Sequence, residues 1–225
     1  ARHEGPPHDA PDKRTGVAGS LRLVVSALSF WQISALAFFR YGTLVALQGL
    51  WLGPYFMDIK GLAQIETGNV LMMMSIGIIV GSPLAGYLAD RVCRSKKYVI
   101  LTGLALYTLC LLPLTGILDV DRPLTFSVIL FLTGVFGSFG TLLYTHIKEL
   151  FPLSMSGTAI AAVNFFVMSG GAVFMQAMGT IIENFSRAGL SYPAQAYHTA
   201  FFICLASMIA GLVFYVFSKD SRRPH

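Results

Sequence analysis

From Trp31 onward the chain runs in long apolar stretches separated by short polar ones: Trp31–Met57, Thr67–Leu88, Tyr98–Leu118, Leu124–His146, Thr158–Ile182 and Tyr197–Phe217. Each is close to the roughly 20 residues that a helix needs to cross a bilayer core of about 30 Å. Apolar positions inside them follow neither the alternation of a half-buried strand nor the stripe of a surface helix. Backbone polar groups cannot stay unpaired in hydrocarbon, so a spanning segment is a helix or a strand of a closed barrel. Without period-two alternation the barrel is excluded. The pattern predicts an all-α membrane protein, six transmembrane helices within residues 30–218.

The flanks differ in kind. Residues 1–29 open with the polar, proline-rich Gly5-Pro6-Pro7-His8-Asp9-Ala10-Pro11-Asp12-Lys13-Arg14, which reads as a flexible cytoplasmic arm or linker; residues 219–225 read as a cytoplasmic tail. Composition agrees: 55% of the residues are hydrophobic and only 12% charged, about half the charge a wet surface carries.

The net charge of +5 follows membrane topology, and no nucleic-acid partner is expected. With the arm inside, Arg2, Lys13, Arg14, Arg22, Arg91, Arg94, Lys96, Lys97, Lys148, Lys219, Arg222 and Arg223 fall on one side, against Lys60, Arg122 and Arg187 on the other. Basic residues gather on the cytoplasmic side, so both termini are expected there, in a multi-pass protein of the cytoplasmic (inner) membrane. Cys93, Cys110 and Cys204 have no metal-binding spacing, and no disulfide framework is implied.

Between the second and third stretches stands Gly86-Tyr87-Leu88-Ala89-Asp90-Arg91-Val92-Cys93-Arg94-Ser95-Lys96-Lys97. A carboxylate among cations in a short loop suits ion pairs that differ between two conformations; basic residues that merely fix topology are the plainer alternative. The segment resembles the signature loop of the major facilitator superfamily: Gly86, Leu88, Asp90, Arg91 and Arg94 match, while Cys93 stands where the pattern has glycine, which puts the shape of the turn in question. Glu149-Leu150-Phe151-Pro152 with Gly157-Thr158-Ala159 and Asn164 is similar to the connection between the tenth and eleventh helices of many bacterial members. Phe39-Arg40-Tyr41-Gly42 through Gln48-Gly49-Leu50-Trp51-Leu52-Gly53-Pro54-Tyr55 is similar to the seventh helix of sugar-phosphate and organic-anion permeases.

The resemblance implies the C-terminal half of such a transporter, itself a three-plus-three inverted repeat. Its partners would be the lipid bilayer, a small-molecule substrate with a coupling proton, and a missing N-terminal six-helix half or a second copy. Gly86, Asp90, Arg91 and Arg94 would form a loop that controls conformation. A non-transporting membrane module, or a half without activity alone, remains the alternative.

Arg40 is the one Lys, Arg, Asp or Glu deep inside an apolar stretch. Such a charge costs roughly 2.5–3.5 kcal/mol on insertion scales, so by default it faces a partner or a wet cavity. A guanidinium suits a carboxylate or phosphate; snorkelling to headgroups or pairing with another segment are the alternatives. Tyr41, Gln48 and Tyr55 recur at seven-residue steps, which would set them on one face of an α-helix as a cavity wall or as interhelical hydrogen bonds. Thr141 and Tyr144 in the fourth stretch and Asn164 in the fifth complete the candidate substrate face. Gly77, Gly81, Gly134 and Gly137 read as close helix contacts. No phosphate-binding loop, zinc-protease helix or nucleophile–base pair is present, so no enzymatic activity and no cofactor are expected.

Overall fold

A computed structural model describes residues 16–118, 120, 122–186 and 191–220. The first half of the expected arm, Arg187 in its loop, and the last residues of the expected tail lie outside the described residues.

Among the described residues seven helices follow in order: α1 Val17–Ser26, then α2 Leu28–Ile59, α3 Gln64–Val92, α4 Lys96–Thr115, α5 Pro123–Leu150, α6 Leu153–Glu183 and α7 Ala194–Val216. The last six are long and apolar enough to cross a membrane. Helix α1 corrects the expectation of a flexible arm up to residue 29. Its Ser20 and Val24 are buried, and contacts to α6 hold it in place. The chain breaks to extended backbone at Ala27, where the Trp31 indole donates to the Val25 carbonyl at 2.8 Å and pins the corner.

Local chemistry sets the helix ends. Ser95 caps α4 by accepting the Tyr98 amide at 3.4 Å. Glu66 accepts the Ala63 amide at 3.0 Å at the start of α3, and Pro123 opens α5 at a position where proline costs no hydrogen bond. Helix α6 begins at Leu153, ahead of the expected Thr158. Ser154, Ser156 and Gly157 lower the hydropathy of its first turns, yet these turns are wound as helix.

Helix α2 packs most extensively on α6, and α3 on α5; α7 covers α2 as α4 covers α5. Exchanging α2 with α5, α3 with α6 and α4 with α7 converts each pairing into another. The bundle is therefore a three-plus-three repeat, as the resemblance implies. Glycines let the backbones meet. A Cβ on Gly77, Gly81 or Gly134 would strike the backbone of the facing helix at Phe131, Val135 or Met74, and one on Gly42 would lie 2.7 Å from the Gly170 carbonyl. In lipid, where apolar burial drives little association, such approach supplies van der Waals contact instead.

Among the described residues α3 and α4 leave α winding at their last turns, Leu88–Val92 (π) and Leu112–Thr115 (3-10), and α2 and α5 depart from it as well. Helix α2 widens into π turns at Leu47–Trp51 and Tyr55–Ile59, and α5 tightens to 3-10 winding at Ser138–Thr141.

Candidate functional site: the Arg40 cavity

Arg40 sits on α2 where it faces the tightened stretch of α5, and is only 8% exposed. Its Nε donates to the Gly137 carbonyl at 2.8 Å, and Nη2 donates to the same oxygen. The 3-10 winding redirects amides of α5 from partners four residues back to partners three back, and the side chain slots against the backbone there. Gly140 makes the slot: a Cβ at that position would lie 2.6 Å from the Arg40 Cδ. Among the described residues no carboxylate lies within 4.0 Å of Arg40.

A cavity of about 180 Å³ opens beside the guanidinium. Arg40, Tyr41, Thr141 and Tyr144 supply its polar wall, and Val163, Val167 and Met168 of α6 its apolar one. The Tyr144 hydroxyl donates to the Asn164 Oδ1 at 2.8 Å, which brings Asn164 to the rim. Thr141 gives its hydroxyl proton to the Ser138 carbonyl at 2.8 Å and keeps its oxygen lone pairs available. Five of the seven candidate substrate residues therefore converge on one place.

Gln48 and Tyr55 do not join them. Gln48 donates to Ser75 Oγ of α3 at 2.8 Å. Tyr55 is 1% exposed and packs among Phe56, Tyr197, His198 and Phe201. The seven-residue stripe assumes unbroken α winding. A π turn inserts one residue and rotates everything beyond it by about 100°. The turn at Leu47–Trp51 includes Gln48 and precedes Tyr55, and it carries the tyrosine into the core.

Two further residues support the site. Thr43 donates to the Arg40 carbonyl at 3.1 Å, and its hydroxyl lies 3.0 Å from that of Tyr107 on α4. Both are fully buried. No spacing in the sequence marks Tyr107, since its partner is 64 residues away.

At the end of the bundle that carries Arg91 and Arg94, hereafter the basic end, the signature loop begins as a π turn, Leu88–Val92. The left-handed residue of the turn is Arg94, with φ of 50°, while Cys93 at φ of −84° stays in the right-handed region. Glycine is thus not required at position 93. Arg91 and Arg94 are exposed, and a Cβ on Gly86 would meet nothing within 4 Å. Asp90 pairs with Lys96 at 3.3 Å, and the same ammonium reaches Glu149 at the end of α5 at 2.7 Å. Lys96→Met is expected to cost less than about 1 kcal/mol of stability, because Asp90 is largely in solvent; thermal unfolding in detergent measures it, and a larger loss would mark the triad as a fold determinant.

No group of three or more His, Cys, Asp or Glu side chains suited to a metal occurs among the described residues.

The chain matches the family model of the Major Facilitator Superfamily over residues 21–225. A search of curated proteins finds no match. Among solved structures it is similar to the inward-open xylose transporter XylE of E. coli, with a TM-score of 0.64 at 16% identity over 86% of this chain and 46% of that one. A double-tryptophan mutant of XylE gives a TM-score of 0.65 at 14% identity over 89% and 46%. The proton:xylose symporter bound to 6-bromo-6-deoxy-D-glucose gives 0.59 at 16% over 92% and 46%. The chain spans about half the length of these structures, and the likeness is one of fold. A six-helix bundle with this repeat, the signature loop between its second and third spans, and a family match along nearly its whole length together place the chain: it belongs to the major facilitator superfamily, with the fold of one six-helix half.

Proposed function

We propose that this chain forms the C-terminal half of a secondary transporter that carries a small organic anion across the cytoplasmic membrane by alternating access. The observation that carries the reading is the state of Arg40. Its Nε and one Nη2 proton are spent on the Gly137 carbonyl, which leaves Nη1 and the remaining Nη2 proton as a fork without an acidic partner within 4.0 Å among the described residues. That edge matches the two oxygens of a carboxylate or phosphoryl group. The cavity beside it, about 180 Å³, suits a solute below drug size.

Helices α3 and α6 are the least buried of the six spans and show Ile79, Phe165 and Met168 on their surfaces. These faces suit a second six-helix bundle, which would close the other side of the cavity. The bias of basic residues puts both termini in the cytoplasm. No Asp or Glu lies mid-span in this chain, so a coupling proton would titrate a carboxylate of the partner bundle. Because a structural neighbour is a proton:xylose symporter, a neutral sugar is the rival substrate.

The test is uptake into proteoliposomes by the full-length protein under an imposed pH gradient, with radiolabelled inorganic phosphate, a three-carbon monocarboxylate, a four-carbon dicarboxylate and xylose. An anion should enter and xylose should not. Uptake of xylose alone would discard the anion, and uptake of none would favour a non-transporting module. Tyr144→Phe frees Asn164 at the rim and is expected to weaken affinity for the transported anion by at most about tenfold, the worth of one neutral hydrogen bond; the KM of uptake reports it.

A further inference from the structure

A second connected group lies at the basic end, away from the Arg40 cavity. Three consecutive residues at the start of α4 reach three other elements. Lys96 joins Asp90 of α3 and Glu149 of α5. Ser95, itself buried, donates to the Asp220 carboxylate at 3.0 Å. Lys97 donates to the Ser218 carbonyl at 2.5 Å. From α5, His146 Nε2 lies 3.0 Å from the Lys219 carbonyl and Nδ1 lies 2.7 Å from the Tyr215 hydroxyl. A carbonyl only accepts, so Nε2 carries the proton and Nδ1 accepts from the tyrosine. Both rings are fully buried.

Closing the end of α7 does not require these partners. The Ser218 amide bonding to the Tyr215 carbonyl at 2.9 Å already turns the chain out of the helix. Yet residues 218, 219 and 220 are each gripped by a different side chain, drawn from two other helices. We propose that Ser218–Asp220 is a strap that couples α7 to α4 and α5, and that its release and re-formation accompany the motion of α5 that opens the Arg40 cavity towards the basic end. His146 follows Tyr144 by two residues on α5, so a shift at the strap passes to the cavity wall through half a helical turn. The coupling is a property of the bundle; only the role in opening rests on the transport reading.

Amide hydrogen exchange of the full-length protein in lipid nanodiscs tests the coupling. Asp220→Ala and Ser95→Ala should each raise exchange about tenfold or more in residues 214–220 and also in residues 143–150, which contain neither substituted side chain. A rise confined to 214–220, or no rise, overturns the coupling. His146→Gln retains an amide donor for the Lys219 carbonyl and should keep the parental pattern, whereas His146→Leu should lose it. Release is tested by joining Lys97→Cys to Ser218→Cys with a short dithiol-reactive linker in a protein whose Cys93 is serine. Labelling of Tyr144→Cys by a membrane-impermeant maleimide from the basic side should fall about tenfold on joining, as expected when the open state is depopulated. Unchanged labelling in the joined protein overturns release. Neither readout needs a transported solute, so absence of uptake with the coupling intact would sink the transport reading and leave the strap standing.

Discussion

Gly134→Leu is expected to abolish the folded bundle. A Cβ on Gly134 would run into the Met74 carbonyl oxygen of α3, and one on Gly77 into the Phe131 carbonyl of α5. The obstacle in each case is backbone inside a hydrogen-bonded helix, which has no rotamer to change. Leucine must therefore push α3 and α5 apart along their whole contact, the most extensive in the bundle together with that of α2 and α6. Overpacking a core costs roughly 1–3 kcal/mol where side chains can yield, and more where they cannot. A helix pair in lipid has little apolar driving force in reserve to offset it. Size-exclusion profiles and thermal unfolding of the full-length protein in detergent are the measurement. Gly86→Leu is the control, because a Cβ there meets nothing within 4 Å, and it should elute and melt like the parent. A Gly134→Leu protein that remains monodisperse and melts within about 3 °C of the parent would show that the two helices do not meet as described.

The contrast between these two glycines shows what the sequence carries and what it does not. Spans are legible because the bilayer leaves the backbone few choices, and the expected stretches differ from the observed helices mainly at their polar ends, such as Leu153–Gly157. Arg40 is legible because a charge in hydrocarbon demands an explanation, and Thr141, Tyr144 and Asn164 because they are polar in apolar runs. Tyr55 misleads for a reason that can be stated: spacing arguments assume 3.6 residues per turn, and the π turn after Ala46 breaks the count. Nothing local distinguishes Gly140, which seats Arg40, from Gly137, whose carbonyl holds it. Likewise Lys96 reads as one more topological charge until Asp90 and Glu149, 59 residues apart along the chain, are seen to share it. Long-range partnership is written in the packing, and a single sequence does not show which distant residues meet.

Arg40→Gln is expected to remove uptake of the transported anion while leaving a folded protein. Truncating one partner of a buried charge pair costs roughly 2–5 kcal/mol of binding, which is about 30-fold or more in affinity. The Gly137 carbonyl loses its charged donors, but a glutamine amide can still supply one N–H to it, so the cost to the fold stays near the 1–3 kcal/mol of an unsatisfied group at most. Arg40→Lys separates charge from geometry. Lysine restores a cation but cannot hold the carbonyl with two donors and offer a planar fork at once, so KM should rise about tenfold or more while transport persists. The alternative is that Arg40 serves as a tie between α2 and α5. In that case glutamine and lysine would lower the melting temperature together, and uptake would fall only in proportion to the protein lost. Measuring uptake per folded molecule, with melting curves on the same preparations, separates the two: a ligand role predicts a loss of transport greater than the loss of stability, and greater for glutamine than for lysine.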